Sequence, residues 1–108
     1  MARYLFQASY TSEAWAAQVS NPQNRIEVIR PVIERLGGRL ESAYFSFGDY
    51  DVVVIAEMPD ASSAAAFSLA ASAGGALKAV KTTPLLTFDE GLEAMRKAAG
   101  AGYRPPGR

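Results

Sequence analysis

The residues best suited to chemistry are grouped in one short segment, Gly48-Asp49-Tyr50-Asp51. A tyrosine hydroxyl flanked by two carboxylates can bind a ligand or move a proton, so Tyr50 and Asp51 are candidate catalytic groups. The same residue types are common in turns of any function, because glycine permits the backbone path and aspartates accept hydrogen bonds from nearby amides. Both interpretations of this segment stay open at the level of sequence.

Lys81 is the third candidate, because it lies within a predicted strand and not in a loop. A lysine that points inward could hold an anionic ligand or activate a carbonyl group. A lysine at a sheet edge would instead deter aggregation while its ammonium group stays in water. Glu57, the one charge in the third predicted strand, could pair with Lys81 or mark the end of that strand.

The residue types that are absent exclude much familiar chemistry. The chain has no cysteine and no histidine, which removes disulfides, thiol nucleophiles, thiolate metal sites and the commonest general base. We expect neither a bound metal nor a cofactor. Eleven basic residues balance eleven acidic ones, so composition gives no support for nucleic-acid binding. The chain shows no signal peptide and no membrane span, and we expect it in the cytoplasm.

Length and composition predict one folded domain. The chain has 108 residues, of which 49% are hydrophobic and 20% charged, as in ordinary globular proteins. This length is within the usual size of one domain. We assign residues 1–100 to that domain and residues 101–108 to a C-terminal arm.

Four strands must position the candidate residues. Alternating or continuous apolar patterns predict strands over 4–10, 39–47, 50–58 and 76–84. The second and third strands are joined by a turn at Gly48-Asp49, which predicts a hairpin. The third strand is apolar on both faces, so both faces of the sheet should be covered at that strand.

Helices are predicted between the strands. The segments 12–19 and 22–36 come first, and Pro31 should cause a kink or restart near Arg30 in the second. Asp60 is the expected N-cap of a helix over 61–73, which lacks charge and should therefore pack on more than one side. Asp89 is the expected N-cap of a last helix that ends at Gly100.

The order of these elements predicts a ferredoxin-like βαββαβ fold of the α+β class. Such a fold has a four-stranded antiparallel sheet with its helices on one face, here followed by an extra C-terminal helix. Alternation within the strands places Phe6, Ala8 and Phe45 on the helix side. The opposite face is left without helices.

That open face is polar yet poor in charge in the predicted sheet. A solvated face would carry more lysine, glutamate and arginine, so we expect a second subunit's sheet to cover it and to enclose a cavity. Gln7, Ser42, Tyr44 and Lys81 are the predicted ligand-binding residues of that cavity. The alternative is a face in contact with water, as antiparallel sheets commonly have.

Several blocks of the sequence together resemble one known family. The segment "LGGRLESAYFSFGDYDVVVIAEMPD", the segment "KTTPLLTFDEGLEAMRKA" and the tail "GYRPPG" are similar to those of the GYD domain family of small bacterial and archaeal proteins. The Gly, Tyr and Asp for which the family is named fall on Gly48, Tyr50 and Asp51. The resemblance implies a dimeric α/β-barrel-like fold and a homodimer, and it implies no established reaction.

Three hypotheses of function follow. The first is a homodimer or higher homo-oligomer that binds a small organic ligand in a sheet-lined cavity. The second is a cofactor-independent oxygenase or isomerase of the dimeric-barrel type, with Tyr50, Asp51 or Lys81 as acid-base groups. The third is a structural or interaction module, in which the small-residue helix 61–73 and the C-terminal arm build a larger assembly.

Overall fold

The computed structural model describes residues 1–107 of the chain. Its elements in chain order are β1 (Ala2–Tyr10), α1 (Ser12–Ser20), α2 (Ile26–Arg35), β2 (Arg39–Phe45), β3 (Val52–Met58), α3 (Ala61–Ala73), β4 (Leu77–Leu85) and α4 (Phe88–Ala99). The four strands form one antiparallel sheet in the order β2-β3-β1-β4. This confirms the predicted ferredoxin-like arrangement, in which β2 and β4 are the edge strands.

The core lies between the sheet and helices α2 and α3. In the register of β1 and β3, Phe6 pairs with Val54 and Tyr4 pairs with Ala56, and all four side chains are buried. Paired residues of neighbouring strands project to the same face of a sheet. Ile33 of α2, which is fully buried, packs on this face together with α3. The predicted helix side of the sheet is therefore confirmed.

Helix α2 begins later than the sequence pattern indicates, and it is not interrupted. It starts at Ile26, so residues 22–25 belong to the preceding loop, and Pro31 lies inside one continuous helix. A proline there removes the hydrogen bond that the carbonyl of Glu27 would accept. Both Pro31 and Glu27 are exposed, so water can reach that carbonyl and the helix continues.

Helices α1, α3 and α4 begin at side-chain caps, whereas α2 has no side-chain cap. Asp60 caps α3 as predicted, because its carboxylate accepts a hydrogen bond from the amide of Ser63 at 2.8 Å. The prediction for α4 was wrong, since its N-cap is Thr87 and not Asp89. Thr87 and Glu90 form a reciprocal capping box, which satisfies two amides at once and so starts the helix two residues earlier.

Glycine is sterically required where α2 ends against the sheet. Gly37 has a φ of +85°, and a Cβ on Gly38 would lie 2.5 Å from the carbonyl oxygen of Glu57. The chain therefore turns in a left-handed conformation and then passes close to the backbone of β3. The predicted stop at these two glycines is confirmed.

Helix α4 extends away from the rest of the chain. Every residue of α4 except Gly91 is exposed, and Phe88 is 94% exposed. The molecule measures 58 × 33 × 22 Å and has a radius of gyration of 17.3 Å, whereas a compact chain of this length would have about 13 Å. Among residues 1–107, no helix has both the length and the apolar character needed to cross a membrane.

Candidate functional site

A cleft of about 380 Å³ opens between α2, α3 and the helix side of the sheet. Its walls are contributed by every strand and by both helices. The lining residues are Phe6, Gln7, Ala8, Tyr10, Asn24, Arg25, Ile26, Val28, Ile29, Val32, Ala43, Tyr44, Phe45, Val52, Val54, Phe67, Ser68, Ala70, Ala71, Gly74, Ala76, Leu77 and Val80. Most of these side chains are apolar, so the cleft offers a hydrophobic interior.

The cleft exists because the two helices present side chains of very different size. Helix α2 places Ile26 and Ile29 along its inner stripe, whereas α3 contributes Ala70 and Ala71, followed by its C-cap Gly74. Small residues on one wall leave space that the larger residues opposite do not fill. The charge-free composition of α3 thus has a structural consequence within the single chain.

Helix α3 does not pack on more than one side in this chain. Ala64 and Phe67 are buried against the sheet, while Ala65, Leu69 and Ala73 on other sides are exposed. The expectation of close packing on several sides is therefore not met within residues 1–107. The charge-poor outer surface of α3 faces solvent there.

An aromatic pair lies within the walls of the cleft. The rings of Phe6 in β1 and Phe67 in α3 meet edge to face, with their centroids 4.9 Å apart and an angle of 83° between the rings. This is a favoured geometry for two aromatic rings. Both side chains are buried, so this part of the wall is held in place before any ligand arrives.

We call the end of the main cleft that adjoins a second, smaller cleft its mouth, and this end carries some of the polar residues that line the main cleft. Tyr10, at the end of β1, lies there with Asn24 and Arg25 from the loop before α2. A second cleft of about 300 Å³ adjoins the first and shares Tyr10 and Arg25 with it. Arg25 is half-buried, and it is the one charged residue lining either cleft in the described part of the chain.

The segment Gly48-Asp49-Tyr50-Asp51 belongs to the β2–β3 connection, residues 46–51, which is longer than the predicted turn. Ser46 closes this connection by donating from its amide to the carbonyl of Asp51 at 2.9 Å and from its hydroxyl to the carbonyl of Tyr50 at 2.7 Å. The left-handed residue of the connection is Phe47, with a φ of +47°. Gly48 does not have a left-handed conformation, so the backbone freedom that glycine offers to a turn is not used there in that way.

The carboxylate of Asp51 joins this connection to β1 and α1. Its Oδ2 accepts one hydrogen bond from the amide of Tyr10 at 2.9 Å and one from the indole Nε1 of Trp15 at 3.1 Å. The amide of Asp51 donates to the carbonyl of Ala8 at 2.8 Å. These bonds hold Tyr10 at the mouth of the cleft, so Asp51 positions part of the cleft wall. Its catalytic role stays a prediction, as does that of Tyr50.

Trp15 lies at the centre of an aromatic cluster beside the cleft. Its ring centroid is 5.2 Å from that of Tyr10, 6.1 Å from that of Phe45 and 5.9 Å from that of Phe47. Phe45 and Phe47 stack on each other at 5.3 Å. Tyr10 and Phe45 also line the cleft, so the cluster links the β2–β3 connection, to which Phe47 belongs, to the cleft wall.

The open face of the sheet brings three of the four predicted ligand-binding residues into one row, and two of the three, Gln7 and Tyr44, also contribute atoms to the lining of the cleft on the helix side. Across the strands, Tyr44 pairs with Val53, Val53 with Gln7, and Gln7 with Lys81. Ser42 lies in the adjacent row, where it pairs with Ile55 of β3. Tyr44 is 69% exposed in the single chain. The ligand-binding role of all four residues stays a prediction.

Four charges of the open face lie at one end of the sheet and are paired with each other, whereas Lys81 lies further along this face and is in no ion pair of the described residues. Arg39 donates to Glu57 at 2.7 Å, and Arg3 donates to Glu41 at 2.7 Å. The hydrogen bond from Arg39 lowers the pKa of the Glu57 carboxyl below its ordinary value. The expected alternative, a pair between Glu57 and Lys81, does not form, because Lys81 lies level with Gln7 further along the sheet.

Arg25 is the functional candidate that sequence reasoning missed. It stands in a run of polar residues before an amphipathic helix, where an arginine is usually a solvated surface residue. The signal that could have identified it is its position one residue before the apolar stripe of α2, which begins at Ile26. Only the packing of α2 against the sheet shows that this position lines a cleft.

One known protein family matches most of the chain. The GYD domain matches residues 4–95, which covers the sheet, the cleft and most of α4. No curated protein matches the chain significantly. Within residues 1–107, no group of three or more acidic side chains is placed to hold a metal ion. From the extent of the match and the predicted strand order found in the structure, the chain belongs to the GYD domain family.

Proposed function

We propose that the protein binds a small organic molecule in the cleft between α2, α3 and the sheet, and that it does so as a homodimer. The observation that supports ligand binding is the cleft of about 380 Å³ with mainly apolar walls. Small-molecule sites are typically cavities of about 300–1,000 Å³ with hydrophobic walls and a few polar groups. The cleft has both properties.

The rigidity of the walls favours binding over collapse. Phe6, Val54 and Phe67 belong to the buried core, so they cannot move inward without disrupting the packing of the sheet. A ligand that displaces water from these side chains gains the hydrophobic free energy of about 25 cal/mol per Å² of buried apolar surface. Little ordering of the protein is needed in return.

A neutral apolar dye tests this binding. Phenylnaphthylamine emits strongly only when it leaves water, and we expect wild-type protein to bind it saturably at one site per chain. Ala71→Phe fills the cleft from α3 and should abolish the signal. Ala65 lies on the same helix, is exposed and does not line the cleft, so Ala65→Phe should leave binding intact. Equal loss of binding in both variants would contradict the proposal.

Two unpartnered surfaces support the homodimer. The apolar stripe of α4, formed by Phe88, Leu92 and Met95, is exposed along its length. The open face of the sheet carries Val53 and Ile55, which are half-buried in the single chain. A water-exposed apolar stripe on a helix is unfavourable, and a second copy of the chain can cover both surfaces by two-fold symmetry.

Sedimentation equilibrium tests the homodimer. Wild-type protein should have twice the 11.5 kDa mass of one chain at micromolar concentration. Met95→Glu places a charge in the apolar stripe and should shift the equilibrium toward the single chain. Ala94→Glu adds the same charge beside the stripe, away from Leu92 and Met95, and should leave the dimer intact. A single-chain mass for wild-type protein would refute the homodimer and leave the dye experiment unaffected.

The sheet-lined pocket predicted from the sequence depends on this dimer. Gln7, Tyr44 and Lys81, which share one row, and Ser42 would then face their counterparts across the interface. This second pocket stays a prediction. The oxygenase or isomerase alternative also stays a prediction, since no hydrogen bond or ion pair within residues 1–107 joins Lys81 to Tyr50 or Asp51.

A further inference from the structure

The charge distribution around the cleft narrows the chemistry of its ligand. Arg25 is the one charged residue among the described residues that line the main cleft, and no carboxylate lines it. The same holds for the smaller adjoining cleft. A cationic ligand would therefore find no counter-charge and would be repelled by the guanidinium.

The guanidinium of Arg25 is not engaged in the ion pairs of the described chain. The four ion pairs within residues 1–107 join Arg3, Arg39 and Arg96 to glutamates. Arg25 is half-buried at the boundary of the two clefts, with Tyr10 beside it in both linings. A molecule that enters either cleft thus passes an arginine free to pair with it.

We propose that the ligand is a small organic carboxylate with an apolar body, an inference that rests on the proposed function of the cleft. The carboxylate pairs with Arg25, whose planar guanidinium can donate two parallel hydrogen bonds to it. The body of the molecule occupies the apolar interior, where Phe6, Phe67 and Ile29 meet it. Tyr10 and Asn24 are further polar residues among those that line the cleft at this end.

The same features disfavour more highly charged ligands. A phosphate ester or a dicarboxylate would bring a second negative charge, and the lining offers one cation only. Burying an unpaired charge against apolar walls is costly. A monocarboxylate matches both the single guanidinium and the hydrophobic interior, which is why we commit to that class.

Three probes of nearly equal shape test the assignment. Hydrocinnamate carries a carboxylate, hydrocinnamide is its neutral amide, and phenylpropylamine is a cation of similar size. Isothermal titration of wild-type protein should show the acid binding about tenfold or more tightly than the amide, as expected for a charge-assisted pair. The amine should bind more weakly than the amide.

Substitutions at Arg25 and Arg30 test whether Arg25 causes the preference for the acid. Arg25→Gln should lower the affinity for hydrocinnamate to that for hydrocinnamide, and it should leave the affinity for hydrocinnamide unchanged. Arg25→Lys keeps the charge and should retain part of the preference for hydrocinnamate over hydrocinnamide. This variant provides a second test if Arg25→Gln folds poorly. Arg30, exposed on α2 and outside the cleft lining, supplies the control, since Arg30→Gln should change none of the affinities.

The possible outcomes separate this inference from the proposed function. If wild-type protein binds acid and amide equally, or if Arg25→Gln keeps the preference for the acid, the carboxylate assignment is wrong and ligand binding by the cleft stands. If none of the probes binds and the dye experiment also fails, both proposals are wrong. A preference for the acid that Arg25→Gln abolishes and Arg30→Gln preserves supports the assignment.

Discussion

Replacing Asp51 by alanine should destabilise the fold more than any other alanine substitution in the segment Gly48-Asp49-Tyr50-Asp51. The Asp51 carboxylate accepts hydrogen bonds from the backbone amide of Tyr10 and from the indole of Trp15. It thereby joins three separate parts of the chain. Alanine leaves both donors without their partner. Asp51 would then act through the structure that its carboxylate holds together.

The magnitude follows from the two hydrogen bonds. A hydrogen bond to a charged group contributes about 1.5–3 kcal/mol to stability. Water can reach this half-buried site and satisfy the donors in part, so we expect a total loss of about 2–3 kcal/mol, which is less than two full hydrogen bonds of this kind would contribute. For a domain of this size the melting temperature should fall by roughly 10–20 °C. Asp51→Asn retains an acceptor oxygen and should lose about half as much.

Thermal unfolding followed by circular dichroism measures the loss, with all proteins at one chain concentration. Trp15 is the only tryptophan, so its fluorescence reports locally whether the indole has lost its partner. Asp49→Ala is the matched control, because Asp49 contributes only its backbone carbonyl, as an acceptor for Ser9. If Asp51→Ala melts together with Asp49→Ala, the carboxylate is not the structural link that we describe.

Three further changes test the fold. Gly38→Ala should lower the free energy of unfolding, measured in urea, by about 1–3 kcal/mol or more, because its Cβ would clash with the Glu57 carbonyl. A free energy of unfolding within error of wild type would contradict the close approach. Gly91→Ala, where a Cβ meets open space in α4, should instead raise stability by up to about 1 kcal/mol through helix propensity, and a loss would show that the helix is not formed. Hydrogen bonds from Arg39, Ser63 and Thr87, respectively, lower the pKa values of Glu57, Asp60 and Glu90. Their stabilising contribution is complete above their ordinary pKa values and is lost as the pH falls through the lowered ones, so acid titration of the melting temperature should show a decline that begins below about pH 4.5.

The fold could be predicted because its determinants are local. Alternation in β1 and the stripe of Ile26, Ile29 and Ile33 in α2 indicate which faces are apolar, and the order of elements then leaves one arrangement of the sheet. The N-cap of α3 was predictable because Asp60 directly precedes an apolar run. The error at the start of α4 occurred because two residue types, Thr87 and Asp89, compete for one role.

The candidate site was much harder to predict, because it depends on contacts between distant parts of the chain. Arg25 and Phe67 are far apart in sequence, and only the packing of two helices on one sheet places both in the cleft. The bonds from Tyr10 and Trp15 to Asp51 span 41 and 36 residues. Sequence patterns report periodicity within an element, and they do not report which loop will meet which strand.

The extended helix α4 has a hydrodynamic consequence. With a radius of gyration of 17.3 Å, against about 13 Å for a compact chain of this length, a lone chain has a large frictional coefficient. It should elute from a gel-filtration column ahead of globular standards of equal mass. When two chains associate and each helix lies along the other chain, the mass doubles while the particle becomes rounder. Association should therefore appear as a falling frictional ratio, and an early elution volume alone does not indicate a dimer.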